Sequence, residues 1–474
     1  MKSIIAEKDR LLLGRESLMK ALAGVSALLL VASLFAGLQR ERVFDKEKTA
    51  AESTDKVVWM EQGDRNPHSA AHFSRYAFRP ASPLGLIDPG TSDFAGLAVW
   101  MEAHYQDPAV FRRAEDGGEL SRYSQLTPAF LFMVAAPLLI FLMMYGSVSG
   151  EREDGTLRQL LASGVNARDF FAGKYRAGMR QTMVAFSVVF AALTVFAVVT
   201  TPAEVTTDAF LRVAALYLVY ALYLATCVAV ALGVSALFAT RQLSFLALAG
   251  LWAAMTVLAP RIAADVSTSI YAQPDAREVS TNLSMASNIY YQDKQKQQDI
   301  EDEVLREYGV ENVEDLPINY GAYLLQYSEE MSEPEFDQLY SDLDQRYASQ
   351  ESISRLFSLL TPAIATANLS RGVAGTDRVH QRGFTNAAEE HRRVMIKMLN
   401  DDYMYNAAEV GAAYTADAEL WEQFEDFGYR LPPLGSLASA YVADLLVLLA
   451  WFGLTIVVAA RLVGRAVRLE VPTA

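Results

Sequence analysis

The sequence has a single cysteine among its 474 residues, Cys227, and it lies within an apolar run. An intrachain disulfide is therefore excluded, and cysteine usage does not indicate a redox compartment. We expect Cys227 to be a small buried residue. A phosphate-binding loop is also missing, because the nearest stretch, residues 172–175, lacks both the upstream glycine spacing and the hydroxyl that holds magnesium. We expect no ATP hydrolysis by this chain and no cofactor bound to it.

Other catalytic signatures are missing as well. Glu389, Glu390 and His391 superficially match a zinc-protease helix, but the first histidine of that motif is absent. No serine lies in a setting typical of a nucleophile. A net charge of −15 argues against a nucleic-acid partner. These absences predict a protein that is not itself an enzyme.

Long apolar runs are abundant. Hydrophobic residues make up 52% of the chain, and the mean hydropathy of +0.14 is too high for an ordinary soluble protein. Six runs are long enough to cross a bilayer, so we predict an α-helical polytopic membrane protein with six transmembrane helices. The runs are residues 18–38, 128–147, 182–199, 210–237, 243–259 and 437–462.

The polar remainder falls into two inserts. One lies between helices 1 and 2 and is expected to be loop-rich, and a larger one lies between helices 5 and 6. Residues 261–430 contain 31 acidic and 14 basic residues, a net charge of −17, which leaves the rest of the chain at +2. Apolar residues at helical spacing predict that this acidic insert is mainly α-helical.

These features divide the chain into five segments. An interfacial amphipathic segment and helix 1 occupy residues 1–38, and the first insert occupies residues 39–126. Residues 127–260 hold helices 2–5 with a charged loop at 149–180. Residues 261–433 form the second insert, and residues 434–474 form helix 6 and a tail.

The charged loop sets the orientation. Residues 150–180 contain six basic and four acidic residues, and loops with this excess of basic residues lie on the cytoplasmic side. Both termini are then cytoplasmic and both inserts extracytoplasmic. Leu157, Leu160 and Leu161 recur at helical spacing between Gly155 and Gly164, which predicts a short amphipathic helix at residues 156–162. An ordinary basic loop that only sets orientation is the alternative.

The wording of this loop resembles a family. Glu151, Arg152, Glu153, Gly155, Thr156, Leu157, Leu160, Leu161 and Gly164, followed by Phe171, Gly173 and Lys174, are similar to the first cytoplasmic loop of ABC-2-type ABC transporter permeases. Residues 72–90, 99–107, 359–377 and 382–400 resemble one subgroup of that family, which has large extracytoplasmic inserts of unassigned function.

The resemblance implies a function and a set of partners. The loop would be the coupling helix that docks into a separate ABC ATP-binding subunit, and ATP and magnesium would be bound there. The leucine side of the helix would be its docking face. Two such subunits would join two permeases, identical or sister proteins, in a bacterial cytoplasmic (inner) membrane. Membrane lipid is a further expected partner, and the inserts suggest a periplasmic one.

Two rival functions remain open. One is a mechanotransmission complex, in which ATP turnover moves the inserts to act on an envelope protein without moving cargo. The other is a membrane-anchored scaffold or sensor without any ATPase. The principal hypothesis is an exporter permease whose substrate the sequence does not identify.

Several other residues have two interpretations. Tyr217, Tyr220 and Tyr223 recur at helical spacing and would line a cavity, although helix packing is favoured. Asp444 lies within the last apolar run, where a carboxylate is either functional or neutralised by water or an arginine, and the second is favoured. Residues 359–369 either touch the outer leaflet or form a buried helix.

Three histidines are candidate metal ligands. His68 and His72 are four residues apart, and with His104 they would offer three ligands to a metal. No cysteine or carboxylate set accompanies them in the sequence, and Pro67 interrupts the expected helix start. We therefore expect no metal site.

The topology predicts the accessibility of single cysteines in a Cys227→Ala background. Cysteines replacing Gly117 or Glu301 should react with an impermeant maleimide applied to intact spheroplasts, because they are outside, and one replacing Val165 should not. Labelling at position 165 together with protection at position 301 would show that the topology is the reverse of the predicted one.

Overall fold

The fold is known from a computed structural model that describes residues 2–13, 17–73, 75–82, 84–112, 126–200, 206–290 and 293–470. Across these residues the chain is largely α-helical and contains one two-stranded antiparallel sheet. Six of the described helices are long and apolar enough to cross a membrane. The predicted six-helix polytopic architecture is therefore confirmed.

The elements follow one another in chain order. The first nine helices are α1 (Lys2–Leu13), α2 (Ser17–Met60), α3 (Pro67–Ala71), α4 (Pro128–Phe130), α5 (Ala136–Met144), α6 (Ser149–Glu153), α7 (Thr156–Ala162), α8 (Ala167–Thr200) and α9 (Thr207–Leu237). The others are α10 (Arg241–Ala253), α11 (Ala259–Ile270), α12 (Ala276–Ser287), α13 (Lys294–Tyr308), α14 (Tyr320–Phe357), α15 (Pro362–Ala374), α16 (Arg378–Asn406), α17 (Ala418–Trp421) and α18 (Ala438–Glu470). Strands β1 (Arg75–Phe78) and β2 (Ala98–Met101) pair with Arg75 opposite Met101.

The six candidate spans lie on α2, on α4 with α5, on α8, on α9, on α10 with α11, and on α18. Their order places α6, α7 and the α9–α10 connection at one end of the bundle, which we call the loop side. The segments that follow the first and fifth spans lie at the other end, the insert side. The loop side and the insert side therefore carry separate structures joined by the membrane helices.

The second and fifth spans each contain a π-helical turn next to a proline. Leu131–Ala135 joins α4 to α5 just before Pro137, and Ala254–Leu258 joins α10 to α11 just before Pro260. Proline has no N–H to donate, and the wider turn accommodates the interrupted hydrogen bonding. Because Pro260 lies in the first turn of α11, where proline is tolerated, the helix continues to Ile270. The predicted end of the fifth helix at Pro260 is wrong.

The first membrane helix is also longer than predicted. It continues without interruption past residue 38 to Met60, so the first insert begins with a helix and not with a loop. Residues 39–60 contain neither proline nor glycine, and nothing in them ends a helix. This extension carries Trp59 to the insert side.

The two inserts share one hydrophobic core. Trp59 is 1% exposed, its indole N–H donates to the carbonyl of Trp421 at 3.0 Å, and the two ring systems lie 5.8 Å apart. Ala77 and Val99 of the sheet and Phe384 and Leu399 of α16 belong to the same core. The inserts therefore fold together, although they are separated in sequence by four membrane helices.

One insert helix penetrates the bundle. α15 packs against both α9 and α18, and its residues Ala365, Leu369 and Val373 belong to the membrane-helix core. Leu359 and Leu360, just before it, are 62% and 70% exposed. Of the two interpretations of residues 359–369, the structure therefore has a buried helix, which begins at Pro362.

The structure also refines the choice of cysteine positions. Val165 is only 7% exposed, because its side chain packs into the core on the loop side. Gly117 lies outside the described residues. The exposed residues Ser163 and Asp302 are the better pair for the topology experiment.

Candidate functional site

The loop side is built around a buried carboxylate. Glu151 of α6 is 8% exposed, and its carboxylate accepts hydrogen bonds from the ammonium groups of Lys174 at 2.7 Å and Lys8 at 2.9 Å. The Thr156 hydroxyl donates to the same carboxylate. A buried charge is tolerated only when it is paired and hydrogen-bonded. Glu151 therefore holds α1, α8 and the start of α7 together.

A glycine brings α1 close enough to deliver Lys8. At Gly173 of α8, an added Cβ would lie 2.8 Å from the Cβ of Ile5, closer than two such atoms approach. Ile5 is 4% exposed and packs into the bundle core. α1 therefore lies directly on α8.

Arg152 and Arg158 connect the loop to the ends of two membrane helices. The Arg152 guanidinium donates to the carbonyl of Phe238, just after α9, at 3.0 Å, and to Glu470 of α18 at 3.4 Å. Arg158 of α7 donates to the other oxygen of Glu470 at 2.8 Å. The C-terminal ends of α9 and α18 are therefore both tied to the loop.

The next two acidic residues of the loop, Glu153 and Asp154, bind the start of α10. The backbone N–H of Arg241 donates to Glu153 at 2.9 Å, and its guanidinium donates to both oxygens of Asp154, in one case at 2.9 Å. These hydrogen bonds lower the pKa of Asp154 below its usual value. The guanidinium also passes over Gly150, where an added Cβ would lie 2.7 Å from the Arg241 Nε.

The short helix predicted at residues 156–162 is present as α7. Gly155 and Gly164 flank it with φ of +71° and +84°, left-handed values that favour glycine. Its leucine side, however, does not face outward. Leu157 is 0% exposed, and the half-buried Leu160 and Leu161 pack against the same core of the chain.

The interpretation of the leucines as the docking face is therefore wrong for Leu157. The amphipathic pattern shows that α7 has an apolar side, but its own chain covers that side because α7 packs against α18. Gln159, Ala162 and Ser163 lie on the exposed side of the helix, together with Arg158. We call these four residues the outer face of α7.

The tyrosines and Asp444 lie within the chain's own packing. Tyr220 and Tyr223 are both 0% exposed, and their hydroxyls bond the Ser370 hydroxyl at 2.6 Å and the Met133 carbonyl at 3.0 Å. The half-buried Tyr217 bonds the Ser187 hydroxyl at 2.8 Å.

Asp444, 0% exposed, accepts from Arg355 at 3.0 Å and from Asn368 at 2.9 Å. Of the two interpretations of Asp444, the structure therefore has the second, in which an arginine neutralises the carboxylate.

The three histidines converge on the insert side. One ring nitrogen of each of His68, His72 and His104 lies within 4.8 Å of the others. Pro67 does not interrupt the helix, because it occupies the first turn of α3, where Asn66 caps the chain. A carboxylate is also present, since Glu329 of α14 lies 2.9 Å from Nδ1 of His104.

The environment of the cluster favours the neutral forms of His68 and His72. Burial, reinforced by the two neighbouring rings, lowers the pKa of His68 to about 4. Burial also lowers the pKa of His72. The structure thus supplies a carboxylate beside the histidines and an uninterrupted helix start, the two features that the sequence pattern lacked.

Comparison with known families places this architecture. Residues 104–272, which include four of the six spans, match the family model described as ABC-2 family transporter protein. Over these residues the chain is similar to ABC-2 family transporters, the family that the loop motif resembles. Residues 276–430, within the second insert, match the model described as Domain of unknown function (DUF3526). No curated protein matches the chain.

The buried carboxylate predicts an asymmetric response to mutation. Lys174→Met should destabilise the protein by about 3–5 kcal/mol, because it leaves Glu151 buried with only the half-exposed Lys8. The double variant Glu151→Gln/Lys174→Met should recover much of the loss, since both charges are removed. Melting temperatures of the detergent-purified proteins report the order.

Arg158→Met is the control, because a side chain that is 72% exposed contributes about 1 kcal/mol or less to its ion pair. A double variant less stable than Lys174→Met alone would contradict this account of the Glu151 cluster.

Proposed function

We propose that this permease subunit couples ATP hydrolysis by a separate ABC ATP-binding subunit to the export of a substrate, and that the partner docks on the outer face of α7. The observation that carries the proposal is that one part of the loop is bound within the chain while another part is exposed. Glu151, Arg152, Glu153 and Asp154 are all bound within the chain, whereas Gln159, Ala162 and Ser163 are exposed. The outer face is small and polar, and it is held rigidly from behind.

The attachments of α7 explain how docking would move the membrane helices. Through Glu470 it is tied to α18, through Thr156 and Glu151 to α8, and through the neighbouring Asp154 to α10. A displacement of α7 by a closing ATPase would therefore be transmitted to several helices at once. Switching between two such packed arrangements is the usual basis of alternating access.

The family resemblance implies an assembly. We propose two ATP-binding subunits, which hold ATP and magnesium, and a second permease, identical or a sister protein, in a bacterial inner membrane. The loop side and both termini face the cytoplasm, and the inserts face outward to a periplasmic partner. The six basic residues in residues 150–180, against four acidic ones, support this orientation, because short loops rich in basic residues stay in the cytoplasm.

Ala162→Tyr tests the docking face. The new ring projects from the exposed side of α7, so insertion and melting temperature should be unchanged. Overfilling a packed contact costs about 1–3 kcal/mol, and retention of the ATP-binding subunit should fall about tenfold, since 1.4 kcal/mol is one decade. The measurement is the amount of that subunit that co-purifies with the permease, quantified by mass spectrometry.

Ala412→Tyr is the matched control, the same substitution at an exposed alanine of the insert side. An Ala162→Tyr permease that keeps its ATP-binding subunit would refute this docking face. Absence of any such subunit from the wild-type preparation would favour the scaffold or sensor alternative.

A second candidate function, mechanotransmission to an envelope protein, is favoured by the junction between the inserts and the bundle. Arg212 of α9 is 0% exposed, and its guanidinium donates to Asp208 at 2.6 Å, to the Val373 carbonyl at 2.9 Å and to the Pro432 carbonyl at 2.6 Å. One side chain therefore fastens two segments of the second insert, the end of α15 and the C-terminal end of the insert, to a membrane helix.

α18 is fastened to the same insert. The ring of Tyr441 lies against Gly372, where an added Cβ would come within 2.2 Å of it, and the Tyr441 hydroxyl donates to Asp377 at 2.6 Å. Asp444 adds the contacts with Arg355 and Asn368 described above. Because α9 and α18 also end at the loop, movement of the loop would reach the inserts directly.

Arg212→Met tests this connection. It leaves the Val373 and Pro432 carbonyls without their charged donor, and a hydrogen bond to a charged group is worth about 1.5–3 kcal/mol. Amide hydrogen exchange in residues 362–374 should therefore accelerate at least tenfold, while the ATP-binding subunit is retained.

Arg277→Met, at an exposed arginine of α12, is the control and should leave this exchange unchanged. In the transmission model, addition of ATP alters exchange in the inserts of the wild-type complex but not of the Arg212→Met complex. Equal responses in the two complexes would argue against transmission through this residue.

A further inference from the structure

The histidine cluster on the insert side has the ligand set of a metal site. His68 and His72 come from α3, and His104 follows β2, so two separate segments of the first insert meet there. The backbone N–H of Ala103 donates to the carbonyl of Ala71 at 3.3 Å, which fastens the second segment to the first. Zinc-bound nitrogens at 2.0–2.1 Å from the metal are about 3.3 Å apart in a tetrahedron. The ring nitrogens of the cluster lie within 4.8 Å of one another, so small movements of the rings bring them to the spacing of zinc ligands.

His104 is oriented by a buried carboxylate. Oε1 of Glu329 accepts from the backbone N–H of His104 at 2.6 Å and lies 2.9 Å from its Nδ1. Glu329 is 5% exposed, and Arg392 contacts its other oxygen at 3.3 Å. Metal-ligating histidines usually donate their second ring nitrogen to such a carboxylate. This arrangement leaves Nε2 of His104 as the ligating atom.

Two further features single out this site. His104 has φ of +70°, a left-handed conformation that is uncommon outside glycine and is concentrated at functional sites. The ring of His68 also interacts with the side chain of Asn400 on α16 of the second insert. The exposed His72 gives an ion access from solvent.

We propose that His68, His72 and His104 bind one Zn²⁺ ion, with Glu329 as the positioning residue of His104. Three imidazoles with a carboxylate behind one of them suit zinc, and the fourth position is open to water or to a group from a bound partner. The ligands belong to the first insert, while Glu329 and Arg392 belong to the second. The ion would therefore hold His104 in the ring orientation that meets Glu329 of the second insert, independently of which permease function is correct.

Zinc titration tests the site directly. Full-length protein, purified in detergent with a tag that contains no histidine and stripped with a chelator, is titrated with zinc sulfate against a competing fluorescent chelator. The wild type should bind one Zn²⁺ per chain. His72→Ala and His104→Ala should each lower the affinity at least tenfold, and Glu329→Gln should lower it by about 10–100-fold.

His391→Ala is the matched control, because the ring of His391 lies 4.6 Å from that of Phe424 and is not part of the cluster. His72 is exposed, so His72→Ala should keep the melting temperature of the zinc-free protein, which separates loss of a ligand from loss of the fold. Zinc should raise the melting temperature of the wild type and not that of His72→Ala. Absence of saturable zinc binding, or equal affinity in wild type and the His72→Ala/His104→Ala double variant, would overturn the proposal.

Discussion

The loop side depends on the neutralisation of one buried carboxylate. Glu151 sits at the start of the segment that reverses the chain between the second and third spans, and its burial requires cationic partners from elsewhere. Lys8 comes from the N-terminal helix and Lys174 from α8, so the full set of ion pairs of Glu151 forms only when three distant segments are in place. Four residues of the loop, Glu151, Arg152, Glu153 and Asp154, are hydrogen-bonded within the chain and so stabilise the shape of the loop.

The same logic operates at the opposite end of the bundle. Arg212 and Asp444 are fully buried, and both are satisfied by groups of the second insert. They lie on α9 and α18, whose other ends are bound by Arg152 and Arg158 of the loop. These two helices therefore carry polar contacts at both ends, and we infer that they form the mechanical link between the loop side and the inserts.

Local patterns predicted the elements well. The apolar runs located all six spans, and the glycines at 155 and 164 bounded α7 to the residue, because only local spacing and backbone conformation are involved. The direction of its leucine side was not predictable, since an amphipathic helix has the same pattern whether its own chain or a partner covers the apolar side. The extension of α2 to Met60 was missed because a change from apolar to charged residues marks a membrane boundary but not a helix end.

Long-range polar contacts were not predictable at all. Glu329 lies 225 positions from His104, and Glu470 lies more than 300 positions from both of its arginine partners. A single sequence contains no signal for pairs so far apart. The one clue at the histidines was their own spacing, and the absence of a nearby carboxylate in sequence was misleading because the fold supplies one. The shared core of the two inserts was missed for the same reason.

The central claim is that the outer face of α7 contacts an ABC ATP-binding subunit while the rest of the loop is held by its own chain. The most direct measurement is photo-crosslinking from a benzophenone amino acid placed at Gln159 in living cells, followed by identification of the captured protein. The account predicts capture of a protein that carries an ATP-binding motif, and much weaker capture from the same amino acid at the exposed Ala412 of the insert side. Crosslinks from Gln159 that lead only to lipid, or to the permease itself, would contradict it.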